Sequence, residues 1–364
     1  MGRTGIATVP LHYGKAPRWL FERMRSLSRE IIIAIVSEFG VRELLKRLSD
    51  PFWFQALGCI LGFDWHSSGI TTTVCGALKE SIRDVSREIG VFIAGGKGAT
   101  SRRTPIEIES FGKYISINPA TLIYASKMSA KVDNTALQDG YQLYHHTFIF
   151  TEDGQWAVIQ QGMNEIDRTA RRYHWLGEGV SDFVCEPHST ICAEKGANVL
   201  NMVAKESTEA RAVCTDISRD KPEKIISEIK KLQELQLPQR HKIEIADINP
   251  DRLEKTFLKI YKQQPEGFRS LLEIEGVGPK TIRALALLSE LLYDTPPSFR
   301  DPARFSFAHG GKDGHPYPVD RSTYDITIEV LRKAIASAKI GDYEKIQAIK
   351  RLSALPHHPP LPYL

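Results

Sequence analysis

The string Leu271-Leu272-Glu273-Ile274-Glu275-Gly276-Val277-Gly278-Pro279-Lys280 runs into an apolar stretch over 281–292 and leaves this part of the chain few ways to fold. Two glycines around one apolar residue let the backbone reverse sharply, and Pro279 suits the first position of a following helix. The expected product is a helix, a tight hairpin and a second helix. Such a turn can approach a phosphate closely. The second helix offers it unpaired N–H groups and the positive end of its dipole, and Lys280 adds a mobile cation. Gly276, Val277, Gly278, Lys280 and Thr281 are therefore read as contacts to a DNA backbone, independent of sequence and sensitive to salt.

The rest of the chain has the make-up of an ordinary folded protein. Of 364 residues, 42% are hydrophobic and 25% charged, enough apolar material for a core and too much for a disordered chain. The 26 glycines follow no period and there are only 5 cysteines, which excludes collagen-like and disulfide-stapled chains. The longest apolar run, Ile31 to Val36, falls short of the ~18 residues a membrane span needs, so no membrane partner is expected. An odd cysteine count without a leader-like start predicts a reducing compartment, the cytoplasm. A net charge of +4 and a pI near 8.6 permit a polyanionic partner.

Local signals predict an α-rich α+β fold. Helical spacing covers 15–60, and a further helix is expected over 69–88. Val91 to Ala94 reads as a buried strand running into a glycine loop, Gly95-Gly96-Lys97-Gly98, whose N–H groups would cradle a phosphate. Thr104, Pro105 and Glu107 make a capping box for the next helix, and another helix is expected over 119–131. Glu152-Asp153-Gly154 marks the turn of a β-hairpin formed by 141–150 and 155–163, while 164–176 and 194–210 read as helices. Proline pairs between 216 and 250 place a boundary near 240. A mixed domain with a small sheet (1–240) would precede an all-helical hairpin domain (241–355), interrupted by a loop over 295–318 and ending in a frayed tail, 356–364.

The first 220 residues are rich in polar strings that a plain scaffold does not need. His66, a candidate catalytic residue, lies in one, and Lys97, Arg102 and Arg103, candidate DNA contacts, in another. Lys127, Asp133 and Asp139 follow, then the neighbours His145 and His146, which must point to opposite faces of a strand. Asp133, Asp139 and His145 or His146 are candidate ligands for Mg²⁺ or Mn²⁺, which would generate an attacking water. Lys97, Arg102 and Lys127 would neutralise the charge that grows on a phosphate. Cys185, His188 and Cys192 match no structural zinc spacing well.

Two resemblances add to this. Gly-Val-Gly-Pro-Lys at 276–280 with Pro318-Val319-Asp320 is similar to the helix-hairpin-helix DNA glycosylase superfamily. That resemblance implies a Schiff-base role for Lys280 and a catalytic carboxylate at Asp320. Over nearly the whole length, Arg3-Thr4-Gly5-Ile6-Ala7-Thr8, Pro10-Leu11-His12, Gly14 to Leu20, Asp64 to Gly69, Gly95 to Gly98 and Gln138 to His146 resemble an archaeal and bacterial family. It is catalogued as a domain of unknown function with a terminal helix-hairpin-helix, and implies a role in DNA processing. The leading expectation is a structure-selective, metal-dependent DNA nuclease of repair, acting on duplex, branched or bubbled DNA with little sequence preference. A glycosylase/lyase using Lys280 and Asp320 is one alternative, and a non-catalytic DNA-binding repair module another.

Overall fold

The computed structural model describes residues 16–63, 68–193, 199–234, 248–303, 329, 331–338 and 341–353. His66 and Asp320 lie outside the described residues. Helices α1 (Arg18–Phe39), α2 (Val41–Ser49), α3 (Pro51–Ile60), α4 (Gly69–Ser81) and α5 (Ser86–Ile89) come first. Strand β1 (Val91–Lys97), α6 (Thr104–Ser110) and α7 (Pro119–Lys131) follow, then β2 (Leu137–Gln138), β3 (Gln142–Thr151), β4 (Trp156–Asn164), β5 (Thr169–Leu176), β6 (Thr190–Cys192) and β7 (Leu200–Asn201). Helices α8 (Thr208–Ser218), α9 (Pro222–Glu234), α10 (Pro250–Gln263), α11 (Phe268–Glu273) and α12 (Pro279–Tyr293) come next, with a further helix at Asp342–Ser353. The fold is α+β and α-rich.

Prolines and caps set several helix starts. The Asp50 carboxylate accepts from the N–H groups of Phe52 and Trp53 at 2.8 and 3.0 Å, ahead of Pro51 at the first helical position. Asn118 does the same for Ala120 at 3.0 Å ahead of Pro119. Helix α7 ends in one π-helical turn, Val132–Ala136, which carries Asp133 into the interior.

The main sheet is antiparallel with strand order β1-β3-β4-β5-β6. Helices cover both of its faces. Val91, Ile93, Ile149, Ala157 and Ile159 pack against α1–α4, and Leu331, Ala334, Ile335 and Ala348 join that cluster. Phe92, Ala94, Phe148, Phe150, Val158 and Trp175 face the other way, into a cluster that continues through α7 and α8 to α10, α11 and α12. Each cluster contains residues from both sides of position 240.

Burial on both faces accounts for the main departures from the sequence reading. The 164–176 segment is not a helix but contains strand β5, in which every residue from Ala170 to Trp175 is buried. The polar string Arg171-Arg172-Tyr173-His174 lies in this buried strand and finds partners inside the protein. Arg172, for example, donates to Gln55 Oε1 at 2.9 Å. In the expected 194–210 helix, the described residues hold β7 and a turn, and α8 starts only at Thr208. The expected 69–88 helix stops at Ser81 and resumes as a single turn.

The glycine loop is also corrected. Gly95, Gly96 and Lys97 belong to β1, paired with Thr147, His146 and His145. Gly95 N–H donates to Glu107 Oε2 at 2.8 Å, and Lys79 Nζ joins the same carboxylate at 2.7 Å and Gly95 O at 2.8 Å. The glycine therefore serves the sheet. No capping box forms either, because Glu107 is engaged there and Thr104 Oγ1 donates to Ser101 O at 2.6 Å.

Gly95 has φ +89°, and a Cβ on it would lie 2.2 Å from His146 O and 2.7 Å from Thr104 Oγ1. Gly95→Ala is expected to cost at least about 2 kcal/mol of stability, from backbone strain plus overpacking. Gly98→Ala, at φ +58° with nothing within 4 Å of the added carbon, should cost only about 1 kcal/mol. Urea unfolding of the two variants beside the parent protein checks the ranking.

Candidate active site

The turn after α7 places Asp133, fully buried, where three N–H donors converge on it. Gln160 Nε2 reaches Oδ2 at 2.5 Å and Trp175 Nε1 reaches the same oxygen at 2.9 Å. His188 Nε2 takes the other oxygen, Oδ1. Gln160 stands on β4 directly across from His146 on β3. Its amide nitrogen faces Asp133, so its Oε1 faces His146 Nδ1, at 2.9 Å. A carbonyl oxygen can only accept, so Nδ1 carries the proton and Nε2 presents a lone pair. That lone pair meets Ser126 Oγ on α7 at 2.9 Å, and the serine hydroxyl donates.

Burial pushes the His146 imidazole below its ordinary range, against the opposing pull of the Gln160 hydrogen bond and the Asp133 charge. A neutral imidazole of fixed tautomer results, with one hydroxyl hydrogen-bonded to it. Ser126, His146 and Gln160 line a cleft of about 770 Å³ between α7, the start of β3, the segment around Arg102 and α11. Arg102, Lys127 and Lys131 also line it, against the single carboxylate of Glu273. Glu273 is engaged by the Tyr124 hydroxyl at 2.5 Å and by Arg269 at 3.7 Å. Lys131 Nζ donates to the Val277 carbonyl in the turn between α11 and α12, and burial lowers its pKa.

The structure thus brings Arg102, Lys127 and His146 to one cleft, which His145 also borders. Lys97 is exposed, with its ammonium 5.8 Å from the ring centroid of Tyr144, another lining residue; Arg103 is exposed beside Arg102. His145 points to the opposite face of the sheet, where its Nε2 pairs with Thr147 Oγ1 at 2.9 Å. Asp139 is held apart in a buried cluster. Its Oδ2 accepts from Arg171 Nη1 at 2.9 Å and from the Tyr173 hydroxyl at 2.7 Å, while Arg171 Nη2 grips Asp301 at 2.7 Å.

The predicted metal ligands therefore do not converge. Asp133 is occupied by N–H donors, Asp139 by a guanidinium and a phenol, and the two histidines lie on opposite faces. Among the described residues no group of three His, Cys, Asp or Glu side chains could hold a metal ion. A Mg²⁺ or Mn²⁺ centre on Asp133, Asp139, His145 and His146 does not fit this donor set.

At the α11–α12 turn, Gly276 has φ +95°, which explains its glycine, and Val277 is buried beneath it. Lys280 is exposed and does not line the cleft. Thr281 is buried, and its Oγ1 accepts from Gly278 N–H at 3.5 Å, so its side chain supports the turn instead of facing a ligand. Sequence reasoning missed Ser126, since a serine within an amphipathic helix carries no signal. Gln160 stood within a polar string, and its role emerges only from the strand register.

The sequence matches the family described as "Protein of unknown function (DUF763)" over residues 5–319, and the chain belongs to that family. No curated protein and no solved structure matches it.

Three buried histidines give the protein a pH signature. Burial lowers His145 to about 3, lowers His146, and holds His174 well below its ordinary value of 6.5. On unfolding, each takes up near pH 6.5 a proton that the folded chain refuses. Their contribution is intact above that pH and is lost progressively as pH falls towards 3. Stability should drop by about 1 kcal/mol or more per pH unit below 6.5, and His145→Asn should make the slope shallower. Urea unfolding at intervals from pH 8 to 4 measures this; a flat profile between 7 and 5 would contradict it.

Proposed function

We propose, from the site itself, that the protein binds the DNA backbone through the turn between α11 and α12 and cleaves phosphodiester bonds in the neighbouring cleft. The observation that carries this reading is the composition of the cleft: three cations, Arg102, Lys127 and Lys131, around a neutral imidazole, with one carboxylate already engaged. Among the described residues Arg102 and Lys127 have no ion-pair partner. Cations left unpaired at the rim of a cleft suit a polyanion, and they can stabilise the extra charge that a phosphoryl group carries in the transition state. His146 serves as the acid–base group, its tautomer fixed by Gln160.

The hairpin supports DNA as the polyanion. Gly278 has φ −135° and ψ −174°, backbone that any residue adopts. A Cβ there would meet nothing closer than Gly276 O at 3.9 Å. The fold itself does not call for glycine at this position, whereas close approach of an outside backbone does. Lys131 links the two places, since it lines the cleft and donates to the Val277 carbonyl of the hairpin. Cleavage by this reading runs through side chains alone.

The test is a fluorescently labelled panel of single-stranded, duplex, bubble and flap DNA, incubated with the full chain in EDTA, Mg²⁺ or Mn²⁺. Cleavage in EDTA is expected, and Lys127→Ala should reduce it about 10-fold or more. Gly278→Ala should leave thermal stability unchanged and weaken DNA binding about 10-fold, similarly for all sequences. Wild-type protein that neither binds nor cuts any member of the panel would overturn the reading.

A further inference from the structure

We propose that Ser126 is the nucleophile of this site, so that cleavage passes through a covalent phosphoserine. This rests on the phosphodiesterase reading above and deepens it. Both nitrogens of His146 are already assigned. Nδ1–H is held by Gln160 Oε1 at 2.9 Å, and Nε2 is occupied by the Ser126 hydroxyl at 2.9 Å. The proton that His146 is placed to take is therefore that of Ser126, and no lone pair remains for a water. Asp133 stands behind Gln160, 2.5 Å from its Nε2, and prevents the amide from flipping, because a reversed amide would set two acceptors against each other. Nucleophile, base and orienting group thus follow in one hydrogen-bonded line, the arrangement that activates a hydroxyl. Ser126 lines the same cleft as Lys127 and Lys131, the two cations of α7 one turn of helix apart that would hold a phosphate there.

The step balances without a co-reactant. Ser126 Oγ forms a bond to phosphorus as its proton passes to His146 Nε2. The ester bond between phosphorus and one sugar oxygen breaks, and that oxygen leaves with the proton from Nε2. A DNA strand end is then esterified to the serine and a free hydroxyl is released. In the second half a water gives its proton to Nε2 and its oxygen to phosphorus, and Oγ departs with the proton restored. Gln160 and Asp133 are positioning residues throughout.

Two measurements on the full chain test this separately from the parent reading. The first treats the protein with a fluorophosphonate, an electrophile whose tetrahedral phosphorus reports an activated serine without DNA. Mass spectrometry should find one adduct, on the peptide bearing Ser126, and His146→Gln should slow its formation about 100-fold or more while the melting curve shows a folded protein. The second stops DNA cleavage early with detergent and looks for labelled DNA attached to protein, which Ser126→Ala should abolish together with at least 100-fold of the cleavage rate. Adduct formation without any DNA cleavage would keep the activated serine and remove the DNA substrate. Cleavage without an adduct, or with full rate in a folded Ser126→Ala protein, would overturn the nucleophile and leave the phosphodiesterase reading standing. Neither labelling nor cleavage would overturn both.

Discussion

A carboxylate cut off from solvent must be surrounded by donors, and Asp133 meets that demand with three N–H groups from three separate segments. Trp175 comes from β5, Gln160 from β4, and His188 from the loop before β6. The register of the central strands, the π-helical turn after α7 and the orientation of the Gln160 amide all answer to this one group. The tautomer of His146 follows from the amide, and the state of Ser126 from the tautomer. The hydrogen-bonding state of the cleft is thus fixed by a residue that does not line it.

A second buried anchor joins the far part of the chain to the same sheet. Arg171 on β5 binds Asp139 on one side and Asp301, beyond α12, on the other. The three charges are desolvated, so loss of Arg171 would leave two carboxylates uncompensated inside. Other polar links run alongside: Gln138 Nε2 to Pro279 O at 2.9 Å, Arg283 to Gln138 Oε1 at 2.9 Å, and Tyr124 to Glu273. The hairpin is held at one distance from the cleft, so a backbone docked on the turn would reach the cations by geometry instead of by chance encounter.

Much of this was readable where punctuation is local. Pro119 and Asn118 announce α7, Asp153-Gly154 announces the turn between β3 and β4, and Gly276 to Lys280 announce the α11–α12 turn. A hairpin centred on Asp153 sets 146 opposite 160 by counting alone, so even the His146–Gln160 pair was within reach. What escaped depends on partners distant in sequence. The charges of β5 disguise a strand, because their hydrogen-bond and ion-pair partners come from positions such as 55, 139 and 301. The glycines of β1 imitate a phosphate loop, because the crowding by His146 and Thr104 that requires Gly95 is invisible until the strands pair. Ser126 is an ordinary helical serine until the sheet behind it is complete.

The covering of both sheet faces bears on how the chain comes to be folded after synthesis. One face is covered by α1–α4, with 331–337 in the same cluster, and the other by α7, with α8 and α10 to α12 continuing that cluster. While the protein emerges from a ribosome, the strands and their nearest helices are made early, but the last members of the two clusters arrive only after position 248 on one side and 330 on the other. Until then neither apolar cluster is complete, and the nascent chain presents the uncovered part to its surroundings. Folding of this protein is in that sense a late event, completed only when its last third has been released, and the interval before it is when holdase chaperones have the most to bind.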